Sequence, residues 1–131
     1  MKYLIIVLVG FCTNLLSSQT TFKSNPDFEK KFIQEVFQNN ISSGTQHYKN
    51  LLILLQDRVE FVKELPIKGE KYPKISQMPL FNKYNSQLER DVEFDPNSFN
   101  VLKYDLNFFS SFTKVYRFDN SDWIIIVHPK S

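Results

Sequence analysis

The chain has 131 residues, with 16 lysines and arginines against 14 aspartates and glutamates, one cysteine and three glycines. The formal net charge of +2, with both signs interleaved along the chain, excludes the basic stripe that nucleic-acid binding requires. The charge pattern therefore predicts no nucleic-acid partner. The three glycines are scattered, which excludes the glycine-rich loops that hold phosphates, so we also expect no cofactor.

The N-terminal residues have the layout of a secretory signal peptide. Lys2 precedes an apolar run, Leu4–Phe11, and the small residues Ser17 and Ser18 follow at the cut. The run is shorter than the roughly 20 apolar residues that span a bilayer. We therefore predict a signal peptide at 1–18 and a single exported domain at 19–131.

Cys12 raises one alternative, which is attachment of a lipid to a bacterial lipoprotein. Lipoprotein cleavage needs a small residue directly before the cysteine, and here that residue is Phe11. We therefore favour cleavage after Ser18 or Gln19, and expect membrane association only if Cys12 is lipidated. An exported domain without cysteine is typical of a Gram-negative cell envelope rather than of a disulfide-stabilised eukaryotic secretion product. The expected location is periplasmic, outer-membrane-associated or extracellular.

The first half of the exported domain has helical character. Pro26 suits a first helical turn, and apolar residues then recur at helical spacing, which predicts a helix over 26–39. The stretch 45–65 fits two patterns. A helix at 45–57 followed by a strand at 58–64 satisfies both, and a single helix ending at Leu65 is the alternative.

Residues 66–100 contain four prolines and many polar residues, which predicts a long irregular segment. Phe81 and Tyr84 are expected to attach this segment to the core, and a short helix near Lys83–Glu89 is an option. A loop of this length in a compact domain is usually functional.

The C-terminal third has strand character. Residues 100–109 alternate, which predicts a strand with Leu102, Tyr104, Leu106 and Phe108 on its buried face. A hairpin is predicted from strands 113–118 and 123–128. The run 123–127 is apolar at both odd and even positions, so both faces of the predicted strand are apolar. This is typical of a central strand or of a strand covered by a helix. The fold class predicted is α+β, with one N-terminal helix or two packed on a small antiparallel sheet that ends in this hairpin.

The candidates for catalysis are few. His47 and His128 are the two histidines, and no G-x-S-x-G nucleophile motif occurs. We therefore predict a protein that is not an enzyme. A small secreted hydrolase or isomerase, using either histidine with carboxylates from 89–95, is the alternative.

A metal site is considered at Asp91, Glu93 and Asp95. On a strand these carboxylates point to one side and offer calcium its oxygen ligands. An EF-hand loop is excluded, because Pro96 and Leu102 stand where it needs glycine and glutamate. We favour a solvated edge whose like charges discourage strand pairing, and keep a calcium-stabilised envelope domain as an alternative.

Aromatic residues supply the remaining candidates. An exposed aromatic cluster marks a contact surface, although an AT-rich genome that fills a core with aromatics is the simpler explanation. The leading hypothesis is a non-enzymatic envelope protein that binds a partner protein or a glycan through the 66–100 segment and the sheet aromatics. The candidate binding residues are Phe81, Tyr84, Phe109, Tyr116 and Trp123.

Overall fold

A computed structural model of the chain describes residues 21–22, 26–63 and 71–130. The predicted signal peptide at 1–18 and Cys12 lie outside these ranges. Among the helices of the described ranges, none has both the length and the apolar character needed to cross a membrane.

The first helix, α1, runs over Pro26–Phe37 and confirms the predicted helix. Asp27 and Glu29 lie in its first turn, where carboxylates favour the positive end of the helix dipole. Its inner face buries Ile33 and Val36 almost completely. Full burial of such side chains stabilises a fold by about 1.5–3 kcal/mol each. A 3₁₀ turn over Gln38–Asn40 ends the helix.

The second helix, α2, runs over Gln46–Ile53, and Thr45 caps it by accepting a hydrogen bond from the Tyr48 amide at 3.3 Å. One π-helical turn, Leu54–Arg58, leads directly into a strand over Val59–Lys63. The helix-then-strand interpretation of 45–65 is therefore confirmed, and the single helix is wrong. The helix stops because β-branched residues in 59–63 pair with a neighbouring strand.

The sheet is small and antiparallel, in the spatial order β1-β2-β4-β3. Its strands are β1 (Thr21–Phe22), β2 (Val59–Lys63), β3 (Lys114–Arg117) and β4 (Trp123–Val127). In its middle row Phe61, Ile125 and Tyr116 stand side by side, all buried in the core. β4 lies between β2 and β3, which confirms the central strand predicted from its apolar run. Helices on a small antiparallel sheet make this an α+β fold.

The predicted C-terminal hairpin is confirmed. β3 and β4 pair in register from Lys114↔Val127 to Arg117↔Ile124. Asn120 adopts a left-handed φ of 56° in the connecting turn, a conformation that asparagine tolerates better than most residues.

The predicted strand over 100–109 is wrong. Val101–Lys103 form a 3₁₀ turn, which Asn100 caps by accepting a hydrogen bond from the Leu102 amide at 3.1 Å. Asn107 is left-handed, with φ of 58°, so the chain cannot stay extended there. The expected inner residues Leu102, Tyr104 and Leu106 are buried, but so are Val101 and Lys103, so the alternation does not describe two faces of a strand.

The segment over 71–100 is irregular, as predicted, apart from a 3₁₀ turn at Ile75–Gln77. The short helix near Lys83–Glu89 does not form, because this stretch makes turns that follow the surface of α1. Buried side chains of Ile75, Leu88 and Phe99 attach the segment to the core. Backbone hydrogen bonds at 2.7–2.9 Å join it to the 101–105 stretch and to β3.

Candidate functional site

A cavity of about 320 Å³ opens between α1, α2, the 81–84 stretch and the turn after residue 106. We name it the aromatic pocket, after its aromatic lining. The aromatic lining residues are Phe37, Phe81, Tyr84, Tyr104, Phe108 and Phe109. Leu51 and Leu54 of the second helix and its π-helical extension complete the apolar wall.

The inner wall of the aromatic pocket is held by ring contacts around Phe37. Its ring centroid lies 5.6 Å from Phe81, 5.7 Å from Tyr84 and, edge to face, 5.4 Å from His47. Asn85 donates a hydrogen bond to the Glu35 carbonyl at 2.8 Å, which fixes the 81–85 stretch on α1. This wall is therefore formed in advance of any ligand.

The rim of the pocket exposes apolar surface. Phe109 is 95% exposed and sits on a turn that the left-handed Asn107 begins and a Ser110-to-Asn107 backbone bond closes at 3.2 Å. Phe112, three positions along, is also mainly exposed but does not line the pocket. Exposed aromatic surface beside a cavity is typical of an interaction site.

One cation, Arg58, also lines the pocket. Arg58 is the last residue of the π-helical turn. Its Nε donates to the His128 carbonyl at 3.0 Å, and its Nη2 donates to the Phe108 carbonyl. Burial lowers the pKa of Arg58, although a guanidinium stays charged at any physiological pH. Neither of the ion pairs Lys103–Asp91 and His128–Glu60 involves Arg58, and no carboxylate of the described residues forms an ion pair with it.

The structure brings three of the five candidate binding residues together, since Phe81, Tyr84 and Phe109 share the aromatic pocket. It places the other two elsewhere. Tyr116 is 5% exposed and donates its hydroxyl to the Leu106 carbonyl at 2.6 Å, so this residue belongs to the core and offers no contact surface. The same burial raises the pKa of Tyr116.

Trp123 lines a separate polar cavity of about 540 Å³, between the 90–94 stretch and the hairpin turn. Its ring packs 5.2 Å from Phe94. At the edge of this cavity the Ser76 amide donates to Asp119 at 3.0 Å, and the Ser76 hydroxyl donates to the other oxygen. Burial alone would raise the pKa of Asp119, but these hydrogen bonds outweigh it and hold that pKa below its usual value.

The calcium site at Asp91, Glu93 and Asp95 does not form. These residues lie in irregular backbone rather than on a strand, so no strand geometry aligns their carboxylates on one side. Asp91 accepts from the Tyr104 hydroxyl at 2.7 Å and from Lys103 at 3.2 Å, and Asp95 accepts from Ser98 at 3.1 Å. Within the described ranges no group of three acidic, histidine or cysteine side chains is placed to hold a metal ion.

The histidines stand apart from the 89–95 carboxylates. His47 is exposed and packs edge-on against Phe37. His128 pairs through Nε2 with Glu60, and neither partner lines the aromatic pocket or the polar cavity. In the part of the chain that the structure describes, no hydrogen bond or ion pair joins either histidine to 89–95. The described residues therefore do not bring a histidine together with a carboxylate from 89–95, and His128 pairs with Glu60 instead.

The arrangement as a whole suits binding. The aromatic pocket joins an apolar wall, an exposed rim and one guanidinium, and its acidic lining residue, Asp105, is exposed to solvent. Apolar walls with a few polar groups are what small binding sites generally share. Comparison of the chain with protein-family models, curated proteins and solved structures finds no significant match in any of the three.

Proposed function

We propose that this chain is a non-enzymatic binding protein exported to the bacterial cell envelope, where it receives an apolar side chain of a partner protein in the aromatic pocket. The observation that carries the proposal is Phe109, which is 95% exposed beside a cavity lined by other aromatic rings. Leaving such a ring in water forgoes about 1.5–3 kcal/mol of burial, which a bound partner recovers.

Export is proposed from the N-terminal residues alone. Lys2, the apolar run Leu4–Phe11 and the following serines support a secretory address. The envelope location follows from that address and from the lack of any cysteine after Cys12. Edman sequencing of the protein recovered from its host tests both, since a chain that still begins at Met1 would contradict export by this route.

A protein partner fits the pocket better than a glycan. Its volume of about 320 Å³ is at the lower end of the roughly 300–1,000 Å³ found for ligand sites, which suits one side chain. The exposed Phe109 extends apolar surface beyond the cavity, and a partner surface can cover it. A glycan would instead be expected beside Trp123 in the polar cavity.

The test is capture from an envelope extract with matched variants of the purified protein. Phe109→Ala removes the pocket rim, and Phe112→Ala removes a second exposed phenylalanine that lies outside the pocket. We expect Phe109→Ala to lose a protein that both the unmodified chain and Phe112→Ala retain. Equal capture by all three would overturn the proposal, and loss only in a Trp123→Ala variant would move the site to the polar cavity.

A further inference from the structure

The aromatic pocket contains a charge, that of Arg58, which no carboxylate of the described residues pairs with. A guanidinium has five N–H donors, and Arg58 uses two of them on backbone carbonyls of Phe108 and His128. Both acceptors are neutral. The remaining donors have no hydrogen-bond acceptor within the described residues, although Arg58 is half-buried. The planar guanidinium group matches the geometry of carboxylates and phosphates, so a partly buried arginine is suited to bind either.

Arg90 shows how the same residue type behaves elsewhere in the fold. It also donates to two backbone carbonyls, those of Ile75 and Met78, but it is exposed and its charge is solvated. Arg90 also lies over an aromatic ring, 5.9 Å from the centroid of Tyr104, but Arg58 differs because it is half-buried and lines the aromatic pocket, where water screens charge less. An anion therefore gains more at Arg58 than at Arg90.

Asp105 is the carboxylate that also lines the pocket, and it does not neutralise Arg58. The two form no ion pair, and Asp105 is exposed at the mouth. Solvent and salt screen an exposed charge, so Asp105 weakens but does not cancel the attraction for an incoming anion.

We propose that the aromatic pocket binds the C-terminal residue of a partner protein, with its apolar side chain against the aromatic wall and its carboxylate on Arg58. This inference rests on the proposed function and adds the chemistry that selects the partner. A chain terminus supplies one apolar side chain and one carboxylate about one residue length apart, and the carboxylate takes two parallel hydrogen bonds from a guanidinium. The exposed Phe109 favours a partner chain over a free acid, since a small molecule would leave part of its ring in water.

The test compares short acetylated peptides that end in phenylalanine, one as the free acid and one as the amide. Binding is followed by ¹H–¹⁵N NMR titration of the full exported domain. We expect the acid to bind at least about tenfold tighter than the amide, which corresponds to about 1.4 kcal/mol. Resonances of the aromatic pocket are expected to move with both peptides.

Three outcomes would overturn the inference. Equal affinity for acid and amide would show that Arg58 does not select a carboxylate, while the pocket itself still binds. Tighter binding of 3-phenylpropionate than of the peptide acid would identify a free carboxylic acid as the occupant. Absence of any shift at the pocket would refute terminus recognition, and the capture experiment at Phe109 would then decide the proposed function separately.

Variants assign the selectivity to one residue. Arg58→Gln keeps a hydrogen-bond donor but removes the charge, so the preference for the acid over the amide is expected to fall below about twofold. Arg90→Gln is the matched control, because it also removes two bonds to backbone carbonyls, and it is expected to keep the preference. Since Arg58→Gln also loosens the 108–109 turn, the acid-to-amide ratio of the unmodified chain decides the question if this variant does not fold.

Discussion

Asn100 offers the sharpest test of how the pocket is built. Its side chain is 2% exposed and donates to the Phe32 carbonyl at 3.0 Å and to Glu35 Oε1 at 2.9 Å. It also accepts from the Leu102 amide at 3.1 Å. These bonds join α1 to the 3₁₀ turn that carries Leu102 to the pocket wall. The asparagine therefore fixes the distance between two of the pocket's walls.

Replacement of Asn100 by alanine removes three hydrogen bonds and leaves the buried Leu102 amide without its acceptor. Each neutral bond is worth about 0.5–1.5 kcal/mol net, and the one to a carboxylate about 1.5–3 kcal/mol. We expect Asn100→Ala to lower the free energy of unfolding by about 3 kcal/mol, and to weaken binding at the pocket.

Urea unfolding followed by circular dichroism measures this loss. Asn97→Ala is the matched control, because Asn97 is exposed and, among the described contacts, bonds only through its backbone amide to Asp95. The control is expected to stay within about 0.5 kcal/mol of the unmodified chain. A loss below about 1 kcal/mol for Asn100→Ala would refute the role assigned to this side chain.

Three further predictions use the same assays. Phe37→Ala is expected to lower the free energy of unfolding by about 3–5 kcal/mol, because the Phe37 ring is buried. Phe109→Ala is expected to change it by less than about 0.5 kcal/mol, because the Phe109 ring is exposed. Similar losses for the two variants would contradict this assignment of one ring to the core and the other to solvent. The lowered pKa of Asp119 means that its carboxylate stabilises the fold at neutral pH and that this contribution is lost as the pH falls below about 4. Asp119→Asn is therefore expected to flatten the acid side of a stability-against-pH curve, and an unchanged acid side would refute the contribution. Calcium and chelator are expected to leave the melting temperature unchanged, because Asp91 is already held by protein donors; a rise with calcium would contradict this.

Elements with a strong local pattern were predictable from the sequence. Helical spacing locates α1, and the run at 123–127 indicates the central strand, because each pattern is set by residues close together in the chain. The stretch 100–109 was not predictable in this way. Its alternation of apolar residues resembles that of a strand. The Asn100 side chain caps a 3₁₀ turn, however, and Asn107 adopts a left-handed backbone conformation. Neither feature can be detected from the pattern of apolar residues.

The site depends on contacts that the sequence does not reveal. The sequence places Arg58 at the start of a predicted strand. The carbonyls that accept its hydrogen bonds lie 50 and 70 positions away in the chain, at Phe108 and His128. The alternation of apolar residues also does not show that Tyr116 faces the core while Phe109 is exposed to solvent. Alternation assigns side chains to two faces of a strand, but it does not show which face the rest of the protein buries. A guanidinium at the end of a helical stripe was the one local sign that could have drawn attention to Arg58.

Arg58 connects the fold to the proposed recognition. Its bond to the Phe108 carbonyl holds the turn that exposes Phe109, so the cation both shapes the rim and faces the cavity. A carboxylate bound to the donors that have no acceptor among the described residues would add to these contacts without replacing them. We therefore expect a bound chain terminus to order the 107–112 turn.

Photo-crosslinking at the rim tests the central claim most directly. Purified protein carrying p-benzoylphenylalanine in place of Phe109, or in place of Phe112 as the control, is irradiated in an envelope extract and the adducts are identified by mass spectrometry. We expect the probe at 109 to attach to the C-terminal peptide of one partner protein, with much weaker labelling from 112. Equal, unselective labelling from both positions would contradict the account of the aromatic pocket as a binding site.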